Sequence, residues 1–342
     1  MTRVPADRLA AAMRSALAGR GVSAEHADLI VAGLLGASLR GIDTHGVRLL
    51  PIYLAELDGG RARARPELAW SPAGAAGRRL DAGGALGVVA GTIAGREAVA
   101  LARRQGVAAV SVANSNHFGA ASVFTIEMAR AGAIGICCSN ADALTAPFEG
   151  TRPLFGTNPL SVAALGDDDE LFCLDMATSQ LSFSQIMARL ARGEPVPPRC
   201  AVRGDGSDAA GAGSPDDLVA LQPLGGYKGH GLAMAIALVC ALLGDMPLDH
   251  ELTHFYSPPF DAPRRVSHLF LALDVASFVA PEMFRRRLTE YLRHVRRQPA
   301  AAGGAVRAPG DLEAIAYRDR IEHGVPLTEE ELARFRELGL EA

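Results

Sequence analysis

Apolar residues recur three and four positions apart at the start of the chain. Leu9, Met13, Ala16 and Leu17 fall on one helical face. Ser23 stands as an N-cap before a second helix carrying Leu29, Ile30, Leu34 and Leu35, which ends near Gly41. From Gly59 to Gly84 the pattern dissolves into Gly, Ala, Arg and Pro and predicts loops and turns. Two periods then alternate. A helix over 88–104 precedes the β-branched run Val107 to Val112, and a helix near 120–131 precedes the run Ile134 to Ser139. Leu171 to Asp175 and Leu269 to Leu273 read as further buried strands. Strands alternating with helices predict an α/β fold. Gly193 to Pro215, rich in Gly, Pro, Asp and Ser, predicts an exposed loop or small lobe. Beyond Pro281 the chain reads as helical and charged, and no repeat of fixed period is present.

The longest apolar run, Gly231 to Leu243, is too short to span a bilayer and reads as a buried helix. At 342 residues, 49% hydrophobic and 21% charged, the chain has a globular composition and room for a large core. A net charge of −4 with no basic block argues against nucleic acid as a partner. The first residues lack the apolar segment of a signal peptide. Five cysteines, odd in number and without CxxC spacing, fit buried thiols in a reducing compartment. The expectation is a cytoplasmic enzyme with no membrane contact. One further count changes the picture: Lys228 is the single lysine among 34 basic residues. It is either a compositional leftover or an ammonium kept for its chemistry.

Four segments concentrate reactive side chains. Between Gly41 and Gly46 stand Asp43, Thr44 and His45, with Arg48 just beyond. Imidazole transfers protons near neutrality, and a guanidinium clamps a carboxylate with two bonds; the alternative is a turn between helices. His117, in Asn114 to Gly119, follows a strand and precedes a helix, where ligands of open α/β sheets collect. The alternative there is a capping turn. Gly156-Thr157-Asn158-Pro159 and Asp175-Met176-Ala177-Thr178-Ser179 offer hydroxyls, an amide and a carboxylate at a second strand end, or are two ordinary turns. Finally, Lys228 lies among Gly225, Gly226, Gly229 and Gly231 at the start of the apolar helix, so backbone amides and an ammonium gather for an anion. This is neither a Walker A loop nor a Rossmann GxGxxG. His250-Glu251-Leu252-Thr253-His254 has the HExxH spacing of zinc hydrolases. Pro247 upstream and Pro258-Pro259 downstream leave little room for the long helix that motif needs, and no metal site is expected.

Taken together, these segments resemble the malate/L-lactate dehydrogenase family, which is distinct from the Rossmann-type lactate dehydrogenases and includes ureidoglycolate and sulfolactate dehydrogenases and Δ1-piperideine-2-carboxylate reductase. The resemblance runs from the N-terminal helices to Pro309-Gly310. It rests on five motifs in order: Asp43-Thr44-His45-Gly46 with Arg48, Pro51 and Tyr53; Asn116-His117-Phe118-Gly119; Gly156 to Pro159; Asp175 to Ser179; and Gly225 to Gly229. It implies a non-Rossmann nicotinamide-binding α/β fold, NAD or NADP as cofactor, and hydride transfer to or from a small 2-oxo or 2-hydroxy acid or a cyclic imino acid. By the same resemblance Arg48 holds the substrate carboxylate, with Thr157 near it. His45 or His117 is the proton donor and acceptor, with Thr44 beside them. His117, Phe118, Gly119, Ala121, Ala141, Asp175, Met176, Ala177, Lys228 and Gly310 line the cofactor. A homodimer with a shared active site is expected, with a helical substrate and dimer unit over 1–75 and 285–342 and a cofactor-binding α/β unit over 76–284 carrying a variable lobe at 193–215.

Several positions depart from the family pattern. Thr44 replaces a serine but keeps its hydroxyl, and Ala141 replaces a hydroxyl residue. Glu149 interrupts a P-F-G-G turn, and Ser184-Gln185 stands for G-K. The stretch Arg199 to Arg203 puts Arg203 where the family carries an acid that works with the D-S-H-G histidine. That exchange inverts the local charge and removes an acceptor. Two outcomes are open: a substrate whose second anionic group meets Arg203, or a catalytically weak homologue kept for binding or assembly.

Overall fold

The computed structural model describes residues 1–72 and 74–339; positions 340–342 of the predicted helical unit lie outside them. In chain order the elements are β1 (Thr2–Val4), α1 (Ala6–Ala18), α2 (Ala24–Leu39), two 3-10 turns (Asp43–His45 and Val47–Leu49), α3 (Leu50–Gly59), β2 (Ala69–Ser71), β3 (Gly77–Asp81), α4 (Gly87–Gln105), β4 (Val107–Ser115) and α5 (Ala121–Arg130). They continue with β5 (Ala133–Ser139), β6 (Leu160–Leu165), β7 (Leu171–Met176), α6 (Phe183–Ala191), β8 (Ala201–Val202), β9 (Ala220–Leu221) and α7 (Tyr227–Ala237). The last are β10 (Val266–Asp274), α8 (Pro281–Arg296), α9 (Asp311–His323), β11 (Val325–Leu327) and α10 (Glu329–Glu337).

The helices form where the periodicity places them. Leu9, Met13 and Leu17 are fully buried along one face of α1. The Ser23 side chain accepts the His26 amide at 3.2 Å and caps α2. These two helices pack with α3, and Leu332 and Phe335 of α10 complete the same apolar cluster, which reaches Val88 and Val89 of α4.

The main sheet has the order β2-β3-β4-β10-β5-β6-β7. Only β3 and β4 pair in parallel; every other neighbour is antiparallel. β4 and β5 therefore run the same way with β10 between them, and α5 bridges the two. β3, α4 and β4 form the one parallel crossover unit, and the remaining antiparallel pairings set this sheet apart from a doubly wound parallel one. α4 and α5 cover one face of the sheet over Val110, Val112, Phe124 and Phe270.

Several expectations need correction. The N-terminal region is not wholly helical: β1 pairs antiparallel with β11 of the mostly helical tail, Val4 opposite Val325. The region 59–84 contains β2 and β3 as well as turns. The sequence pattern predicts no strand where β6 forms. β1, β2, β3 and β11 are short strands whose stability comes from distant partners, which local periodicity does not encode, whereas β6 is an interior strand as long as β7. The 193–215 region is a small lobe: Val196, Cys200, Ala201, Ala209 and Ala212 bury against Ile186 and Leu221, with β8 and β9 paired. The apolar run from 231 is not a buried helix throughout. α7 passes into a π-helical turn over Leu238–Leu242, and Met234, Leu238 and Leu242 are 52%, 56% and 61% exposed.

Candidate active site

The segment 43–48 leaves α2 and folds into the two 3-10 turns. Gly46 is required by close packing: a Cβ there would lie 2.0 Å from the Ser38 hydroxyl oxygen. That same oxygen accepts the Val47 amide at 3.0 Å. Asp43 is a structural anchor, taken by both terminal nitrogens of Arg320 in α9, one of them at 2.9 Å. The Arg320 guanidinium also donates to the Ser38 carbonyl. With its neighbours so fixed, His45 projects next to Thr44, whose hydroxyl is 3.0 Å from Nδ1. Arg48 is 41% exposed and forms an ion pair with Glu331 of α10 at 3.2 Å.

His117 arrives from the other side, at the exit of β4. Its ring stacks 5.6 Å from that of His45 at 19° and 4.3 Å from Phe255 at 25°, so it is sandwiched. The Gly119 amide donates to His117 Nδ1 at 3.3 Å, and the Tyr53 hydroxyl lies 2.8 Å from the same nitrogen. An amide only donates, so Nδ1 accepts and the neutral ring carries its proton on Nε2. Burial pushes the Tyr53 phenol well above its ordinary range and keeps it a donor. Burial drives His45 down to about 4. It drives His117 well below the usual imidazole value, with further lowering from His45, Arg264 and His268. Both rings are thus neutral at pH 7. This amends the expectation of a histidine titrating near neutrality: desolvation disfavours the imidazolium.

Tyr53, Phe255, Arg264 and His268 have no role in the sequence reading, although Tyr53 lay within a quoted motif. Phe255 is carried by the loop before β10. Two buried arginines fasten that loop: Arg264 pairs with Asp142 and donates to the Thr253 carbonyl at 3.1 Å, and Arg61 donates to the carbonyls of Phe255, Ser257 and Pro259. His268, inside β10, spans the hydroxyls of Ser139 (2.8 Å) and Ser115 (2.9 Å) and stacks on Phe118. Burial pushes it down to about 3. The one sequence signal for it is a lone histidine in an otherwise apolar strand.

A second group gathers beyond β5. The Asn158 side chain accepts the Ala141 amide at 3.0 Å and donates to Asp249 at 2.7 Å. The same Asp249 oxygen accepts the Gly156 amide at 2.9 Å. The turn carrying Thr157 is thereby fixed, and the Thr157 carbonyl accepts the Thr178 amide at 2.8 Å. This ties the Gly156 turn to the segment holding Asp175, Met176 and Ala177. The Asp175 carboxylate accepts the Ser122 amide in the first turn of α5, next to Ala121. Gly310 caps α9, hydrogen-bonded through Pro309 to β7, and helps to line a cavity of about 370 Å³ with Leu171, Arg307 and Arg318.

Lys228 is exposed in the first turn of α7. Gly229 is dictated by packing, since a Cβ there would meet the Leu224 carbonyl at 2.4 Å. The first-turn amides of Tyr227 and Lys228 lack helical acceptors. This donor set suits a phosphate anion, and the exposed Asp175 carboxylate suits a polyhydroxy group; the residues present fit a dinucleotide.

Arg203 is not brought to the two histidines. It lies in the small lobe, 4.0 Å from Asp217. The HExxH segment forms a 3-10 turn over Asp249–Glu251 rather than a helix, and among the described residues no three potential ligands converge. That overturns the zinc-hydrolase geometry: Asp249 turns inward to hold the Gly156 turn and breaks the helical register. No helix among the described residues is long and apolar enough to cross a membrane.

The profile of the malate/L-lactate dehydrogenase family matches residues 4–336. The ureidoglycolate dehydrogenase (NAD(+)) of Escherichia coli K12 is 29% identical, over 96% of this chain and 93% of its own. The (2R)-3-sulfolactate dehydrogenase (NADP(+)) of Chromohalobacter salexigens is 33% identical over 90% of each. The solved sulfolactate dehydrogenase of Methanocaldococcus jannaschii superposes with a TM-score of 0.92 at 27% identity, covering 98% of this chain and 96% of that one. On the profile match over nearly its whole length and these relatives, the chain belongs to the malate/L-lactate dehydrogenase family of NAD(P)-dependent oxidoreductases.

Proposed function

We propose that this oxidoreductase interconverts a small 2-hydroxy acid and its 2-oxo acid, or reduces a cyclic imino acid, at the His45–His117 pair. The observation that carries the reading is the sandwiched His117, whose Nδ1 is occupied by Tyr53 and Gly119. Bound nicotinamide supplies the hydride acceptor or donor. Arg48 holds the substrate carboxylate and so orients the reacting carbon. His117 Nε2–H donates a hydrogen bond to the reacting oxygen or nitrogen, where negative charge develops during reduction. His45, neutral and next to Thr44, takes the hydroxyl proton in the oxidative direction and returns it in reduction. Thr157 bounds the substrate. Phe118, Gly119, Ala121, Ala141, Asp175, Met176, Ala177, Lys228 and Gly310 form the cofactor side.

The units over 1–75 with 285–342 and over 76–284 are read as the substrate side and the cofactor side. The exposed apolar stripe Met234, Leu238 and Leu242 supports a homodimer covering it. A cytoplasmic location agrees with five buried free cysteines. A second reading, a weak homologue retained for binding, is favoured by one observation only: Arg203 occupies the family's acid position and pairs with Asp217.

The test is a panel of 2-oxo, 2-hydroxy and cyclic imino acids with NAD(H) and NADP(H), followed by nicotinamide absorbance, for the parent, His45→Ala and His117→Ala. Turnover in the parent with a loss of about 10²-fold or more in each variant is expected. Full activity in both variants refutes the assignment, and nucleotide binding without any turnover supports the second reading.

A further inference from the structure

Both ends of the 43–48 segment are held from the far end of the chain. Arg320 of α9 takes Asp43 with two nitrogens, and Glu331 of α10 faces Arg48. The two contacts differ in kind. Arg320 makes true hydrogen bonds and is largely buried. Arg48 and Glu331 approach to 3.2 Å as charges, yet among the described residues the Arg48 guanidinium makes no hydrogen bond. All five of its N–H donors stay available. Glu331 itself is immobilised. Its Oε2 accepts the Thr328 amide at 2.9 Å, its own amide donates to the Thr328 hydroxyl at 3.2 Å, and the Oε1 left over faces Arg48. The capping box of α10 thus fixes a carboxylate that cannot follow the arginine, so the arginine must come to it.

We propose that Glu331 is a positioning residue for substrate binding: it aims the Arg48 guanidinium by charge while leaving its hydrogen-bonding edge open for the substrate carboxylate. The inference rests on the reading of Arg48 as the carboxylate-holding group. An arginine free in solution samples many rotamers, and ordering it carries an entropic cost. A fixed partner charge meets part of that cost before substrate arrives. The same carboxylate also repels an incoming acid. The orientation effect dominates here, because the negative charge of Glu331 is compensated on its other oxygen by a backbone amide and on this one by the guanidinium itself.

Glu331→Gln is the discriminating change, since Gln serves a capping box as well as Glu does and preserves α10. The expected result is a three- to tenfold rise in KM for the acid substrate, with kcat and nucleotide KM retained. Thermal midpoints should match the parent's. In an Arg48→Met background the same change should have no further effect, because Glu331 acts through Arg48. An unchanged or lowered KM in Glu331→Gln overturns the proposal, as does an undiminished effect in the Arg48→Met background. Arg48→Met alone separates the two levels. If it leaves KM for the acid unchanged, the reading of Arg48 itself has failed; if it raises KM while Glu331→Gln does nothing, only the positioning role has.

Discussion

His117 has one nitrogen saturated by donors and one proton fixed on the other, and desolvation keeps it and His45 uncharged. The sign of the resulting pH dependence follows. A base whose pKa is lowered stays competent far into acid, so kcat/KM for oxidation of a hydroxy acid should be flat from neutrality downward and fall only as pH approaches the His45 value of about 4. Reduction needs the protonated ring and should accelerate as pH falls over the same range. Initial-rate profiles in both directions decide this; an oxidation limb that breaks near 6.5, the ordinary imidazole value, refutes the desolvated pair. At this scale the sequence disclosed the two histidines and Arg48, because each sits in a short motif. It did not disclose Phe255, Arg61 or Arg264, whose roles depend on a loop folding back from far along the chain.

At the scale of elements, the site depends on turns that side chains hold in place. Asp249 is the clearest case, with one oxygen accepting both the Gly156 amide and the Asn158 side chain in a buried setting. Asp249→Ala leaves two buried donors unpaired, at about 1–3 kcal/mol each. We expect a lower denaturant midpoint together with a raised KM, because the turn carrying Thr157 loosens; a stability loss with unchanged KM would separate that turn from the substrate. Helices and central strands were legible from periodicity, since α4, β4, α5 and β5 each bury a repeating face. The short strands β1, β2 and β11 were not, because their partners, rather than their own composition, make them strands. The HExxH spacing points the opposite lesson: a pattern with the right letters adopts another shape once Asp249 is drawn inward.

For the whole molecule, the notable surface is the stripe on α7 and its π-helical continuation. Met234, Leu238 and Leu242 project from a helix whose start carries Lys228. Leu238→Glu should convert a dimer into monomer, read by sedimentation velocity, and depress activity through the cofactor side while leaving the fold intact by circular dichroism. A parent protein that sediments as a monomer at micromolar concentration refutes the expectation. The overall architecture was readable because five motifs in fixed order implied it, whereas the surface was not: the apolar run looked like core until its exposed side was seen.

The pairing of β1 with β11 has a consequence in time. Ribosomal synthesis delivers residues 43–48 well before Arg320 and Glu331, which close on them. The histidine loop therefore waits, through the synthesis of about 270 further residues, for the strand and helices that finish it. A nascent chain can build the sheet from α4 to β10 as it goes, but not the corner where α9 and α10 close on Asp43 and Arg48.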